Sequence, residues 1–418
     1  MGMRRSAQLA PFEGWNARVN SRGLKPPATP AAPMSRRSSR GCIARPPWRD
    51  RRISRPGMRI GVDARELCGK PTGVGRHLSG LLRAWSNDPS AARHAFVLYA
   101  HDPISTPLNA DMRVIPGSPG TAWEQISLPA AVKHDRLDVF FAPGYTAPLS
   151  LKMPTVVLVH DISFVAHPEW FRWKEGLRRR TLTRWSSRRA ALVLTVSDAA
   201  RREIMTHFGL AGDRVRRIYP GVVTLGEGSI RHRPDEPDRR DPLVLFAGSV
   251  FNRRHLPDLI RAFRPIARTH PAARLEIVGD NRTYPHEDLP GIARLEGIEG
   301  HVTIRQYVPD RELADLYSRA RVFALLSEYE GFGHPPLEAL GWRVPPVLMD
   351  TEVAREVCGE AAIYVRNGDI GAITAALDAL LFDEDARSRV LRAAPGVLAR
   401  YSWPRAAAET LAALESVA

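Results

Sequence analysis

Cysteine is scarce in this chain: Cys42, Cys68 and Cys358 are the only three in 418 residues. They are too few and too scattered for a disulfide framework or a zinc cluster, and they point to a reducing compartment. Lysine is also scarce. Five lysines stand against 55 arginines, and none follows Lys174, so an arginine here can occupy a place where another protein uses lysine. No run of eighteen apolar residues occurs, which excludes an ordinary membrane-spanning helix. The first residues carry no apolar core of a secretory signal.

What is present is length, charge and pattern. A chain of 418 residues with 44% hydrophobic and 25% charged side chains is expected to fold as two domains rather than one core. The net charge of +15 is unevenly spread. Residues 1–57 hold thirteen Arg and Lys against Glu13 and Asp50, a net +11 of that total. This stretch is rich in Pro, Ser and Arg and has no apolar periodicity, so it is expected to be disordered. It reads as a spacer, or as sequence ahead of a true start at Met58, in preference to an arm for nucleic acid or an anionic membrane.

From Met58 onward, short β-branched runs alternate with longer amphipathic ones, the pattern of a parallel sheet covered by helices. Strands are expected at 58–63, 95–100, 138–141, 155–159 and 191–196, and helices at 74–86, 121–133, 169–190 and 198–208. The charged, Pro-rich stretch Ser229–Pro242 reads as a linker. A second series follows, opening with PLVLFAG and running through ARLEIVGD, HVTIRQY and RVFALL. The expected organisation is a basic extension at 1–57, a first Rossmann-like domain at 58–232, a second at 233–400 and a C-terminal helix at 401–418. Two doubly wound domains of this kind face one another across a cleft, where ligands of such sheets bind.

The stretch EGFGHPPLE places Glu330 on a loop and Glu338 in the helix that follows, with Pro335 and Pro336 suited to a first helical turn. Each carboxylate can accept two hydrogen bonds, which suits vicinal hydroxyls of a sugar or ribose. The amides of Gly333 and His334 open a helix N-terminus, a seat for phosphate. Sugar, phosphate and ribose together make a sugar nucleotide. Taken alone, the spacing fits ordinary loop and first-turn acids equally well.

Three further stretches bear on this reading. Arg253 and Arg254 follow the first strand of the second domain and could clamp a diphosphate. Gly73 and Gly75 turn the chain into a helix after the first strand, without the full spacing of a dinucleotide fingerprint. His160, followed by Asp161, ends a buried strand at the ligand edge of the first sheet. The basic helix RWKEGLRRRTLTRWSSRR at 172–189 interleaves Trp173, Leu177 and Trp185 among eight cations. It could touch a membrane surface, but the simpler reading puts its apolar side in the core and leaves a solvated basic face.

In this order and spacing, the stretches IGVDAREL, TGVGRHLSGLL, VLVHDISFVAHPEWF, LTVSDAARREI, FAGSVFNRRHL, YEGFGHPPLE and EVCGEAAIYV resemble the retaining glycosyltransferases of family 4. The resemblance covers the chain from Met58 to its end and implies the GT-B fold, an α/β architecture of two Rossmann-like domains. It implies transfer of a hexose, mannose-like, from a GDP- or UDP-linked donor to a glycan or lipid-linked acceptor. It implies no cofactor, no metal and no nucleic-acid partner, and a cytoplasmic location peripheral to the inner face of the membrane.

By this resemblance His160, Arg254 and Glu330 are catalytic. His160 lies over the donor sugar, Glu330 contacts that sugar and Arg254 stabilises the departing phosphate. Donor binding falls to Gly73, Gly75, Ser249, Arg253, Gly331, Phe332, Gly333 and Glu338, with Glu338 on the ribose. Departures from the pattern are Arg254 and His255 in place of Lys and Asn, Ser249 where some members carry Arg, and His334 in place of an apolar residue. A sugar-nucleotide epimerase of the same fold, or a non-catalytic nucleotide- or polyanion-binding protein, is the competing reading. A phosphorylase would need a cofactor lysine that the second half of the chain lacks.

Overall fold

Fully buried runs such as Val139–Ala142, Leu192–Thr195, Leu243–Ala247 and Val322–Leu325 leave no polar face to turn to water, so they are stable only between two layers of helix. In a computed structural model, whose described residues are 57–69, 72–222 and 240–418, they build two parallel sheets. The expected basic extension and most of the expected linker lie outside these residues.

The first sheet contains β1 (Arg59–Asp63), β2 (Ala95–Ala100), β3 (Ala110–Val114), β4 (Val139–Ala142), β5 (Thr155–Leu158), β6 (Leu192–Thr195) and β7 (Val215–Arg217). The second contains β8 (Leu243–Ala247), β9 (Arg274–Val278), β10 (Val302–Arg305), β11 (Val322–Leu325), β12 (Pro346–Met349) and β13 (Ile363–Val365). Strand order is β3-β2-β1-β4-β5-β6-β7 in one and β10-β9-β8-β11-β12-β13 in the other. In both, the order reverses beside the first strand, at β1/β4 and at β8/β11, and this reversal opens a crevice at the carboxyl ends.

The seven helices that matter below are α1 (Gly73–Ser86), α2 (Trp173–Arg189), α3 (Asp198–Phe208), α4 (Leu256–Thr269), α5 (His334–Gly341), α6 (Glu352–Cys358) and α7 (Trp403–Glu415). Helix α7 returns to the first domain. The Trp85 indole of α1 donates to the Ala407 carbonyl at 3.0 Å, and the Trp403 ring fills the space beside Gly80 and Gly221, where a Cβ would collide with it.

Four strands were not expected. β3 and β7 are edge strands of mixed exposure. β13 has three residues. β12 opens on Pro346; a proline is tolerated as the first residue of a strand. The expected helix at 121–133 starts as a π-turn over Trp123–Ser127 and continues over Leu128–Val132.

Helix α2 departs most from expectation. Its buried residues are Gly176, Thr183, Ser186 and Ser187, small side chains that let the helix seat closely. Trp173, Leu177 and Trp185 are 69%, 50% and 55% exposed, so its apolar side faces outward and not into the core.

The two domains are pinned by a carboxylate at a helix end. Glu356 of α6 accepts from the amides of Asp198 and Ala199 at 2.6 and 3.0 Å and from the Tyr219 hydroxyl at 3.0 Å. The first amides of α3 would otherwise lack a partner. Glu356→Ala is therefore expected to lower unfolding free energy by about 1–3 kcal/mol, read by chemical denaturation. A variant as stable as wild type would show that the cap carries no load.

Candidate active site

Both arms of the second crevice come from loops at the carboxyl ends of β8 and β11. After β8 the chain turns through Gly248 and Ser249 to Arg254, 8% exposed, just before His255 in the left-handed region at φ 46° and the start of α4. After β11 it runs through Glu330 to Gly333, at φ 90°, which begins α5.

Arg254 joins the two arms. Its Nε and Nη2 donate to Glu330 Oε1 at 3.0 and 2.7 Å, and its Nη1 donates to the Ser249 carbonyl at 2.8 Å. A guanidinium has five N–H groups, so two have no partner among the described residues and remain for a ligand in the crevice. The Arg253 guanidinium lies 4.2 Å from the Phe251 ring centroid and 5.7 Å from that of Trp170, and the Arg254 guanidinium lies 5.9 Å from the same Phe251 ring. The two guanidiniums share the Phe251 ring, and that of Arg254 is the one bonded to Glu330.

Glu338 lies in the second turn of α5, half-buried. Burial pushes its carboxyl up, with Arg76 opposing from the first domain and the Tyr317 hydroxyl beside it. A carboxylate so placed is short of hydrogen-bond donors, the condition under which ligand hydroxyls bind well.

The glycines separate into two kinds. A Cβ at Gly75 would meet the Glu66 carbonyl, and one at Gly331 would meet the His160 carbonyl of the other domain. These two are required by close backbone approach. Added Cβ atoms at Gly73 and Gly333 meet nothing. Across the cleft the Ser197 hydroxyl donates to the Gly331 carbonyl at 2.7 Å, and the Ile162 amide to the Tyr329 hydroxyl at 3.2 Å. Phe332 is buried against Tyr219, Tyr401 and His334, so its side chain serves packing.

On the facing edge, His160 Nε2 lies 3.1 Å from the Pro143 carbonyl. A carbonyl only accepts, so Nε2 carries the hydrogen and Nδ1 keeps a free lone pair. Its ring meets His77 edge-on at 5.1 Å and Tyr145 at 5.5 Å. Tyr145 holds a left-handed backbone at φ 70°, a strain of the kind that gathers at binding sites.

His77, His160 and His334 thus draw together from three segments of two domains, with Arg76 beside them. Burial lowers the basicity of all three. His334 falls to about 4, by burial first and then by the charges of His160 and Arg76. Arg76, His77 and Tyr317 were missed in the sequence; only the position of Arg76 and His77 inside TGVGRH hinted at them.

Residues 71–224 match the family described as Glycosyltransferase Family 4, and residues 230–396 match Glycosyl transferases group 1. The chain belongs to the group 1, family 4 glycosyltransferases. Among curated relatives, this glycosyltransferase is 28% identical over 285 residues to O-antigen chain mannosyltransferase B of Escherichia coli, covering 65% of this chain and 73% of that one. It is 27% identical to the MMP alpha-(1->4)-mannosyltransferase of Mycolicibacterium hassiacum, covering 60% of this chain and 61% of that one, less than two thirds of its length.

Among solved structures, Anabaena HepE in complex with UDP and glucose superposes with a TM-score of 0.65 at 19% identity, over 86% of this chain and all of that one. Sucrose-phosphate synthase of Thermosynechococcus elongatus gives 0.68 at 16%, over 86% and 98%. The fold of the glycosyltransferase is GT-B.

The histidine cluster makes an acid prediction. Between the ordinary value of 6.5 and about 4, the unfolded chain takes up a proton that folded His334 refuses, so stability is lost as pH falls through that window. Asp63, raised by burial from 3.8 to about 6, acts in the opposite direction over its own range. His334→Leu isolates the histidine: relative to wild type it should gain about 1–2 kcal/mol more at pH 5 than at pH 8. Equal differences by denaturation at the two pH values would rule this out.

Proposed function

We propose that this glycosyltransferase moves a hexose, mannose-like, from a GDP- or UDP-linked donor to a polysaccharide or glycolipid acceptor, with retained anomeric configuration and without a bound metal. The observation that carries the reading is the Arg254 fork, held on Glu330 and Ser249 at the β8/β11 reversal with two N–H groups free.

Cleaving the glycosidic bond leaves positive charge on the sugar and negative charge on the diphosphate. The free N–H groups of Arg254 and the first amides of α5 stand where the negative charge would collect, already oriented. Glu330, neutralised by Arg254, is placed to take sugar hydroxyls, and Glu338 to take those of the ribose. His160 faces the donor sugar from the first domain with Nδ1 as an acceptor. The leaving phosphate itself can accept the acceptor's proton, so the reaction needs no separate protein base.

The mannose preference rests on the similarity to the two mannosyltransferases. A thermal-shift panel of GDP-, UDP- and ADP-sugars should stabilise the protein with one nucleotide family. Glu338→Ala should abolish that shift, and Arg254→Ala should lower kcat by about 100-fold or more. The anomeric proton of the product, followed by NMR, decides retention. No shift with any donor would overturn the reading.

The outward face of α2 supports a peripheral place at an anionic membrane. Trp173, Leu177 and Trp185 lie exposed among Arg172, Lys174, Arg178, Arg184 and Arg188, a combination of apolar anchors and cations. The protein should sediment with anionic vesicles and not with zwitterionic ones. The double variant Trp173→Ala, Trp185→Ala should weaken that binding about tenfold or more. Failure of the wild type to bind anionic vesicles refutes the contact.

A further inference from the structure

A second pocket lies where the two domains join, outside the donor crevice. It has a volume of about 170 Å3 and is lined by Arg217, Tyr219, Arg400, Ser402, Arg405 and Glu409. Three arginines converge there from two domains. Arg217 ends β7 of the first, while Arg400 and Arg405 flank the N-terminus of α7, whose cap is Ser402.

The arginines are ordered by aromatic faces and not by acids alone. The Arg217 guanidinium stands 3.9 Å over the Tyr219 ring, and that of Arg400 lies 5.5 Å from the same ring and 5.3 Å from Tyr401. Stacking fixes a guanidinium plane and leaves its N–H edge for a ligand. Arg217 also meets Asp198 at 3.4 Å, and Arg400 donates to the Glu356 carbonyl at 2.9 Å. Arg405 is exposed and makes no side-chain hydrogen bond or ion pair among the described residues. Within the lining, three cations face the single carboxylate of Glu409.

We propose that this pocket binds a small anion bearing a phosphate group. A carboxylate's two oxygens would satisfy one arginine fork. A phosphate offers three or more acceptor oxygens, which matches three donors arriving from different directions beside a helix N-terminus.

The pocket is one layer of rings away from the donor loop. Tyr219 lines it, with Tyr401 in ring contact behind at 5.4 Å, and both pack on Phe332, at 6.2 and 5.2 Å between ring centroids. Tyr219 also bonds to Glu356, the carboxylate that pins the domains. An anion there therefore touches the hinge and the support of the donor loop together. The site itself is independent of which sugar the crevice takes.

The test uses the full chain and inorganic phosphate, titrated at constant ionic strength against chloride, with thermal unfolding as the readout. Phosphate is expected to raise Tm beyond chloride. Arg405→Glu and Arg217→Gln should each weaken the apparent affinity about tenfold, a loss of 1.4 kcal/mol, while Arg254→Gln in the crevice leaves it unchanged. Should Arg254→Gln fail to fold, Arg253→Gln serves as the crevice control. A hexose monophosphate and phosphatidic acid vesicles, run alongside, separate a soluble ester from a lipid headgroup, and either supports the site if Arg405→Glu abolishes its effect. The proposal is overturned if phosphate gives no shift, or if the shift survives Arg405→Glu and disappears in the crevice variant.

Discussion

The distance between the two sheets is set by backbone meeting backbone. At Gly331 no side chain fits, because the His160 carbonyl of the opposite domain occupies the place of a Cβ. The Ser197 hydroxyl then closes on the Gly331 carbonyl. Everything proposed for the crevice depends on this approach, since it brings the loop after β5 and the loop after β11 to one place. The Glu356 cap on α3 holds the same spacing from the other side. Two contacts of different kind thus fix one geometry.

Within that frame the charges are sorted by burial. Arg254 and Glu330 neutralise one another and keep part of the guanidinium free. Glu338 has only the more distant Arg76 and a phenol to relieve it. Burial lowers the basicity of all three histidines, and His334 is lowered further by the charges of His160 and Arg76. The crevice therefore combines guanidinium donors of a neutralised pair, the acceptor oxygens of Glu338 and a cluster of buried imidazoles of lowered basicity.

Much of this was legible in the sequence. Runs such as FALL and VLFA announce buried parallel strands because nothing in them tolerates water, and the spacing of Glu330, Pro335 and Glu338 announces a loop that becomes a helix. Edge strands β3 and β7 were illegible because an edge has neither alternation nor a continuous apolar run. Helix α2 was misread for a physical reason: apolar residues were assumed to mark the buried side, whereas close helix seating used Gly176, Thr183, Ser186 and Ser187. Arg76 and His77 could not be assigned, since their partners, His160, Tyr317, His334 and Glu338, lie far along the chain and mostly in the other domain. The seat of Arg253 beside Trp170 of the first domain is likewise set by no local rule.

The chain passes between the domains twice, once between β7 and β8 and again at Tyr401–Ser402, where α7 begins its return to α1. Tyr219 and Tyr401, near these two passages, are in ring contact at 5.4 Å. A body tethered at two neighbouring points keeps one easy rotation, about the line through them, and loses free separation and twist. Opening of the crevice is thereby limited to a swing, like a door on paired pins.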